Sequence, residues 1–248
     1  MTNSNTTLEE LIGKFNEINL PRMAAELERQ YNSPDFLTTA PLDLISSLLE
    51  SEYDVKASNR LKNRLRDGHL KNCPQQLDSC HDSPEREYLP HGIVDRLKRL
   101  DFIKGGMNVC VLGASDSGKT YLAKAIGVHG CHKYRVHYYH CTDLLESLAV
   151  MKNNNYKEFN KQMKKLLRTD LLVLDDFLLH TVSSEEEVKI LFALFEGRHE
   201  GQKSTMVCSQ RDPKSWKSMI MNDEVSANAI VKRATKHYTV AINIKSTE

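Results

Sequence analysis

Gly113–Thr120 reads GASDSGKT, a glycine, four intervening residues and then Gly-Lys-Thr. At that spacing a short loop can wrap a phosphate with its main-chain N–H groups and deliver a lysine ammonium to it. The flanks decide whether the pattern is more than chance. Upstream, MNVCVLG (107–113) is a short apolar run of the kind that forms a buried strand, and downstream KTYLAKAIGVHGC (119–131) has helical character. A loop between strand and helix turns N–H groups and the positive end of the helix toward an anion.

The anion expected here is the triphosphate of ATP, bound with Mg2+ and contacted by Gly113, Ala114, Ser115, Asp116, Ser117, Gly118, Lys119, Thr120 and Tyr121. Lys119 would neutralise β- and γ-phosphate charge, and the Thr120 hydroxyl would enter the metal shell. Asp116 would repel the phosphates if it faced them, so its carboxylate is expected to face solvent or a cation. A second acidic element is needed at the end of another buried strand. LLVLDD (171–176), about fifty residues on, supplies Asp175 as the metal-side carboxylate and Asp176 to orient an attacking water.

RVHYYHC (135–141), STMVCS (204–209) and YTVAINI (238–244) read as further strands, with helical stretches between them. Strand alternating with helix predicts an α/β fold, a P-loop NTPase whose parallel sheet is covered by helices on both faces. The residues before it differ. Thr7 with Glu10 makes a capping-box pattern for a helix with Leu8, Leu11, Ile12 and Phe15 on one face; Pro21 interrupts it; Met23, Leu27 and Tyr31 suggest a second short helix; and a long third helix begins near Pro41 and stops near Gly68. The expected organisation is a small all-α N-terminal domain over 1–70, a linker or irregular docking segment over 71–90, and an ATPase domain over 91–248.

Composition narrows the class. At 40% hydrophobic and 27% charged residues the chain matches folded globular proteins, which argues against disorder or a fibrous repeat. No signal-like N-terminus and no apolar run long enough to span a bilayer occurs, so a cytoplasmic protein without membrane contact is expected. The six cysteines are read as reduced thiols, and the His129–Cys141 cluster does not reproduce a metal-site spacing.

Several stretches together carry a resemblance: LPRMAAELERQ, LDFIKGGMNVCVLGASDSGKTYLAKAIG, DLLVLDDF, STMVCSQRDPKSW and AIVKRATKH. Over nearly its whole length the chain resembles the IstB-like transposition helper ATPases, relatives of the DnaC-type helicase loaders within the AAA+ class. The resemblance implies an ATPase that assembles on double-stranded DNA with little sequence preference and regulates a transposase. A replicative helicase loader is the alternative. It also implies that Ser209 and Gln210 occupy the polar sensor position near the γ-phosphate, and that Arg233 is offered to a neighbouring subunit's nucleotide, making the active form a homo-oligomer. The charge of such an arginine acts where negative charge develops in the transition state. Three departures stand out: Asp116 in the loop, Asp176 where many AAA+ proteins have glutamate, and an end at NIKSTE before any match to a C-terminal sensor arginine, which points to slow hydrolysis or a truncated chain.

Five basic residues and no acidic one lie between Val55 and Arg66. Lys56, Arg60 and Arg64 are spaced to form one stripe on a helix, with Lys62 and Arg66 nearby, and such a row can track DNA phosphates. Two other classes remain open: a small-molecule P-loop kinase, for which no arginine-rich lid is visible, and a nucleotide-bound scaffold that never turns over.

Overall fold

The structure is a computed structural model that describes residues 7–220 and 223–245. Residues 1–6 of the expected helical domain, 221–222, and 246–248 of the expected ATPase domain lie outside the described residues. The chain forms two compact units divided between Asn63 and Arg64.

The smaller unit is helical: α1 (Leu8–Glu17), α2 (Pro21–Tyr31) and most of α3 (Pro41–Asp67). The Thr7 hydroxyl accepts from the Glu10 N–H at 3.2 Å and the Glu10 carboxylate accepts from the Thr7 N–H at 3.4 Å, satisfying two free amides at the start of α1. Asn19, with φ of 61°, turns the chain, and Pro21 opens α2 where its missing N–H costs nothing. Ala24, Leu27 and Leu48 are buried, while polar groups tie α2 to α3 through Ser47, whose hydroxyl donates to Glu26 Oε1 at 2.5 Å.

The larger unit holds the rest: β1 (Arg86–Leu89), α4 (Ile93–Lys98), α5 (Asp101–Lys104), β2 (Val109–Gly113), α6 (Lys119–Cys131), β3 (Val136–His140), α7 (Cys141–Asn154) and α8 (Tyr156–Arg168). Then follow β4 (Leu171–Asp175), α9 (Glu185–Glu200), β5 (Ser204–Ser209), α10 (Trp216–Met219), α11 (Glu224–Ala234) and β6 (Tyr238–Ile244). Six strands form one sheet in the order β1-β6-β2-β5-β4-β3, parallel except for the antiparallel pair β1 and β6. Every residue of β4 and β5 is buried, as in a sheet covered on both faces. One side packs Leu148, Leu166, Phe177, Leu191 and Trp216, with the Phe177 and Trp216 rings edge to face at 5.0 Å.

The fold is thus the expected α/β sheet with helices, but residues 71–90 differ from the expected linker. They pack within the larger unit: Leu77, Cys80 and Tyr88 are buried and Arg86–Leu89 pairs with β6. Four residues at a sheet edge are too few to show alternation, and only packing reveals them. The division between the units falls inside α3, ahead of the expected domain end, where Arg64 bonds the Cys131 and His132 carbonyls of the larger unit. Gly68 follows α3 where any side chain would collide, a Cβ there standing 2.2 Å from the Val136 carbonyl oxygen.

Candidate nucleotide-binding site

Parallel order brings the strand ends together. In register, Ser209 lies beside Leu112, just before the loop, and Asp175 lies beside His140. Because β5 runs between β2 and β4, the loop after β2, the polar end of β5 and the acidic end of β4 share one edge, the carboxyl edge where open α/β sheets bind ligands.

The loop backbone explains its glycines. Gly118 has φ of 97°, which favours a residue without a Cβ, and a Cβ on Gly113 would stand 2.5 Å from the Ser117 Oγ. Asp116 also takes a left-handed conformation, at φ 58°, one that aspartate tolerates better than most residues, and it is exposed. Lys119, at the first position of α6, is 6% exposed and donates to the Ala114 carbonyl at 2.5 Å, which holds its ammonium across the loop. Ala114 and Ser115 are exposed, and the Tyr121 phenol accepts from the Gln76 N–H at 3.3 Å. Buried Ser117 has a hydroxyl with no partner among the described residues.

Asp175 is fully buried and heavily used. Its Oδ2 accepts from the Thr120 hydroxyl at 2.7 Å and from the Tyr138 hydroxyl at 2.5 Å, and its Oδ1 accepts from the Asp176 N–H at 3.1 Å. Burial, with the Asp175 carboxylate beside it, pushes the Tyr138 phenol well above its ordinary range, so it stays a donor. Nothing in the β3 sequence marks Tyr138, because its partner Asp175 lies on a neighbouring strand. Asp176 sits at φ 51° with its Oδ2 3.3 Å from His140 Nδ1.

Ser209 is buried and its Oγ accepts from the Arg211 N–H at 3.2 Å, while Gln210 is exposed. Arg233, near the end of α11, is ion-paired with Glu196 of α9, and its Nε is buried without an acceptor among the described residues. Its carbonyl accepts from Asn108 Nδ2 at 2.8 Å, which fixes this turn of α11 beside β2. Within this chain the arginine is thus held by its own carboxylate.

The expected basic stripe is partly committed. Lys56 donates to the Asn19 carbonyl at 3.0 Å and lies 3.6 Å from Glu52, Arg64 donates to the carbonyls of Cys131 and His132 at 3.1 and 3.0 Å, and Arg66 pairs with Asp67 at 3.0 Å. The expectation that these five cations lack local acidic partners therefore fails for Lys56 and Arg66, because Glu52 and Asp67 lie within side-chain reach on the same helix. Arg60 and Lys62 are exposed and make no ion pair among the described residues. A second basic row lies on α8. Lys157, Lys161, Lys164 and Arg168 recur at helical spacing beside Tyr156 and Lys165, and among the described residues only Lys161 of the four has a carboxylate partner, Glu158 at 3.4 Å. That spacing is present in the sequence YKEFNKQMKKLLR.

Among the described residues no helix is long and apolar enough to cross a membrane. The cysteines are free, and burial pushes the Cys110 and Cys141 thiols up to about 12.

The chain is similar to several known proteins. The family described as IstB-like ATP binding protein matches residues 13–247. The chain is 29% identical to the insertion sequence IS232 ATP-binding protein of Bacillus thuringiensis subsp. berliner, over 83% of this chain and 81% of that one. It is also 29% identical to the insertion sequence ATP-binding protein y4uH of Sinorhizobium fredii, over 88% and 85%. Among solved structures, the DnaC helicase loader aligns with a TM-score of 0.55 at 19% identity, over 71% of this chain and 99% of that one. AMPPCP-bound DnaA from Aquifex aeolicus aligns at 0.55 and 22%, over 70% of this chain and only 51% of that one. At these identities the structural matches establish the fold alone.

Proposed function

From the premise that the chain belongs to the family of IstB-like ATP binding proteins, we propose that it is an ATP-hydrolysing, DNA-binding helper of transposition, working as an oligomer that regulates a transposase. The observation that carries the reading is the meeting of the loop and the acidic strand end. Lys119 spans the loop, and Thr120 and Asp175 are joined at 2.7 Å.

The loop amides and Lys119 grip the phosphates of ATP. The oxygen-only pair of Thr120 and Asp175 suits Mg2+, which when bound draws charge from the phosphates. Tyr138 holds Asp175 in position, and Asp176 orients the attacking water, with Ser209 and Gln210 polar at the neighbouring strand end. Arg233 leaves Glu196 in the assembled form and turns toward the nucleotide of an adjoining copy.

DNA phosphates are met by Arg60 and Lys62 of α3, with Lys56, Arg64 and Arg66 less free, and by the row on α8. The partner docks on the helical unit, where α3 leaves Leu42, Ile45, Leu49 and Tyr53 exposed at helical spacing. The names of the relatives, proteins of insertion sequences, favour a transposase over a replicative helicase.

The deciding experiment measures ATP hydrolysis with and without duplex DNA, together with particle size in ATP and in ADP. Hydrolysis and assembly that depend on DNA and ATP support the proposal. Phosphorylation of a metabolite without DNA overturns it, and loading of a replicative helicase replaces it with the loader reading.

A further inference from the structure

Arg86 begins β1, in the stretch expected as a linker. A tight turn fixes it: the Ser83 N–H donates to the Arg86 carbonyl at 2.7 Å, and the Arg86 N–H donates to Ser83 Oγ at 3.1 Å. Strand β1 pairs with β6, and β6 pairs with β2, so this edge lies two strands from the phosphate loop. The side chain closes the remaining gap. A methyl group placed on Gly118 would stand 3.2 Å from Arg86 Cζ and 3.4 Å from its Nη1.

This guanidinium is a cation without an anion. Among the described residues no carboxylate pairs with it, and its Nε is buried with no acceptor. Of the three carboxylates nearest in sequence, Glu85 is exposed and makes no ion pair among the described residues, and the other two are committed elsewhere. Asp82 accepts from the Tyr88 N–H at 2.7 Å and pairs with His91, and Glu87 lies 3.6 Å from both His91 and Lys245. The neighbours that feel the Arg86 charge are the Cys80 thiol and the Tyr88 phenol, both neutral at ordinary pH; the phenol oxygen accepts a hydrogen bond from the guanidinium, which leaves the Nε proton unpaired. A buried donor left unpaired is costly, and such a group persists where an acceptor arrives from outside.

Resting on the nucleotide-binding reading above, we propose that Arg86 is a further nucleotide contact, its guanidinium bonding phosphate oxygens held by the Gly113–Thr120 loop. Arginine suits this role because its planar fork can give two parallel charge-assisted bonds to phosphate. Gly118 then serves two ends: its backbone takes the left-handed turn, and its missing side chain lets the guanidinium lie against the loop.

Calorimetric titration of the full chain with Mg·ATP, Mg·ADP and tripolyphosphate tests the proposal. Arg86→Gln should weaken all three by about tenfold or more and make the salt dependence of affinity shallower. Arg86→Lys, which keeps the charge but not the fork, should lose less and keep the wild-type salt slope; loss of packing alone would not separate the two variants in this way. Melting without nucleotide verifies that each variant folds, and Arg86→Lys against the wild type carries the test if Arg86→Gln does not. Unchanged affinity in Arg86→Gln overturns the proposal, as does weakening confined to ATP and ADP with tripolyphosphate unaffected. A wild-type protein that binds none of the three overturns the nucleotide reading itself, a result distinct from either.

Discussion

The Tyr138 hydroxyl donates to Asp175 Oδ2 at 2.5 Å, and the same oxygen accepts from Thr120 at 2.7 Å. One buried carboxylate oxygen therefore joins β3, β4 and the start of α6. Tyr138→Phe keeps the ring but removes a donor from a fully buried carboxylate, so stability should fall by about 1–3 kcal/mol. The freed carboxylate should also shift the Mg2+ concentration needed for half-maximal nucleotide binding. Denaturant melts and a Mg2+ titration of nucleotide affinity check both effects.

Lys119 is almost buried, yet its bond to the Ala114 carbonyl is one that a phosphate can replace. Lys119→Ala should abolish measurable Mg·ATP binding, a loss of about a hundredfold or more for a charge at a phosphate. The fold should persist in circular dichroism, since the lysine is not a packing residue of the core.

Arg233 and Glu196 form an ion pair within one chain. Arg233→Ala should spare nucleotide binding and reduce turnover in the assembled state by about a thousandfold or more, the range of arginine fingers. Glu196→Gln should ease release of the arginine and lower the protein concentration at which turnover appears. Equal ATPase activity of Arg233→Ala at high protein concentration would exclude a shared site.

Two basic rows can be separated by salt titration of DNA binding. Replacing Lys157, Lys164 and Arg168 by alanine should weaken affinity across sequences and reduce the salt slope by about 3. Replacing Lys56, Arg60 and Arg64 should have a smaller effect, because Lys56 and Arg64 already bond within the protein. Unchanged affinity in the first variant removes α8 from the DNA surface.

His137 is 6% exposed in β3, with Nδ1 2.8 Å from the Thr169 hydroxyl and Nε2 unpartnered among the described residues. Burial foremost, with Lys165 and His69 nearby, lowers its pKa from 6.5 to about 4. Between those values the unfolded chain binds the extra proton, so stability is full above pH 6.5 and falls as the pH drops toward 4. The loss attributable to this ring is on the order of 3 kcal/mol. His137→Asn should flatten that part of the pH profile in thermal melts.

Much of this protein was legible in its residues. MNVCVLG, LLVLDD and STMVCS are continuous apolar runs because strands buried on both faces need no polar side, and they became β2, β4 and β5. The loop spacing and the Thr7–Glu10 cap are local patterns, set within one turn of backbone, and they need no distant partner to be read.

What tertiary structure alone decided are relations between residues far apart in sequence. Tyr138 meets Asp175 only because β3 lies beside β4, and Arg233 meets Glu196 only where α11 packs on α9. Arg86 reaches Gly118 through a four-residue edge strand whose short run carries no periodicity. Local backbone chemistry writes helices, strands and loops into the order of residues; the partner of a buried charge is chosen by strand order and packing, which that order does not spell out.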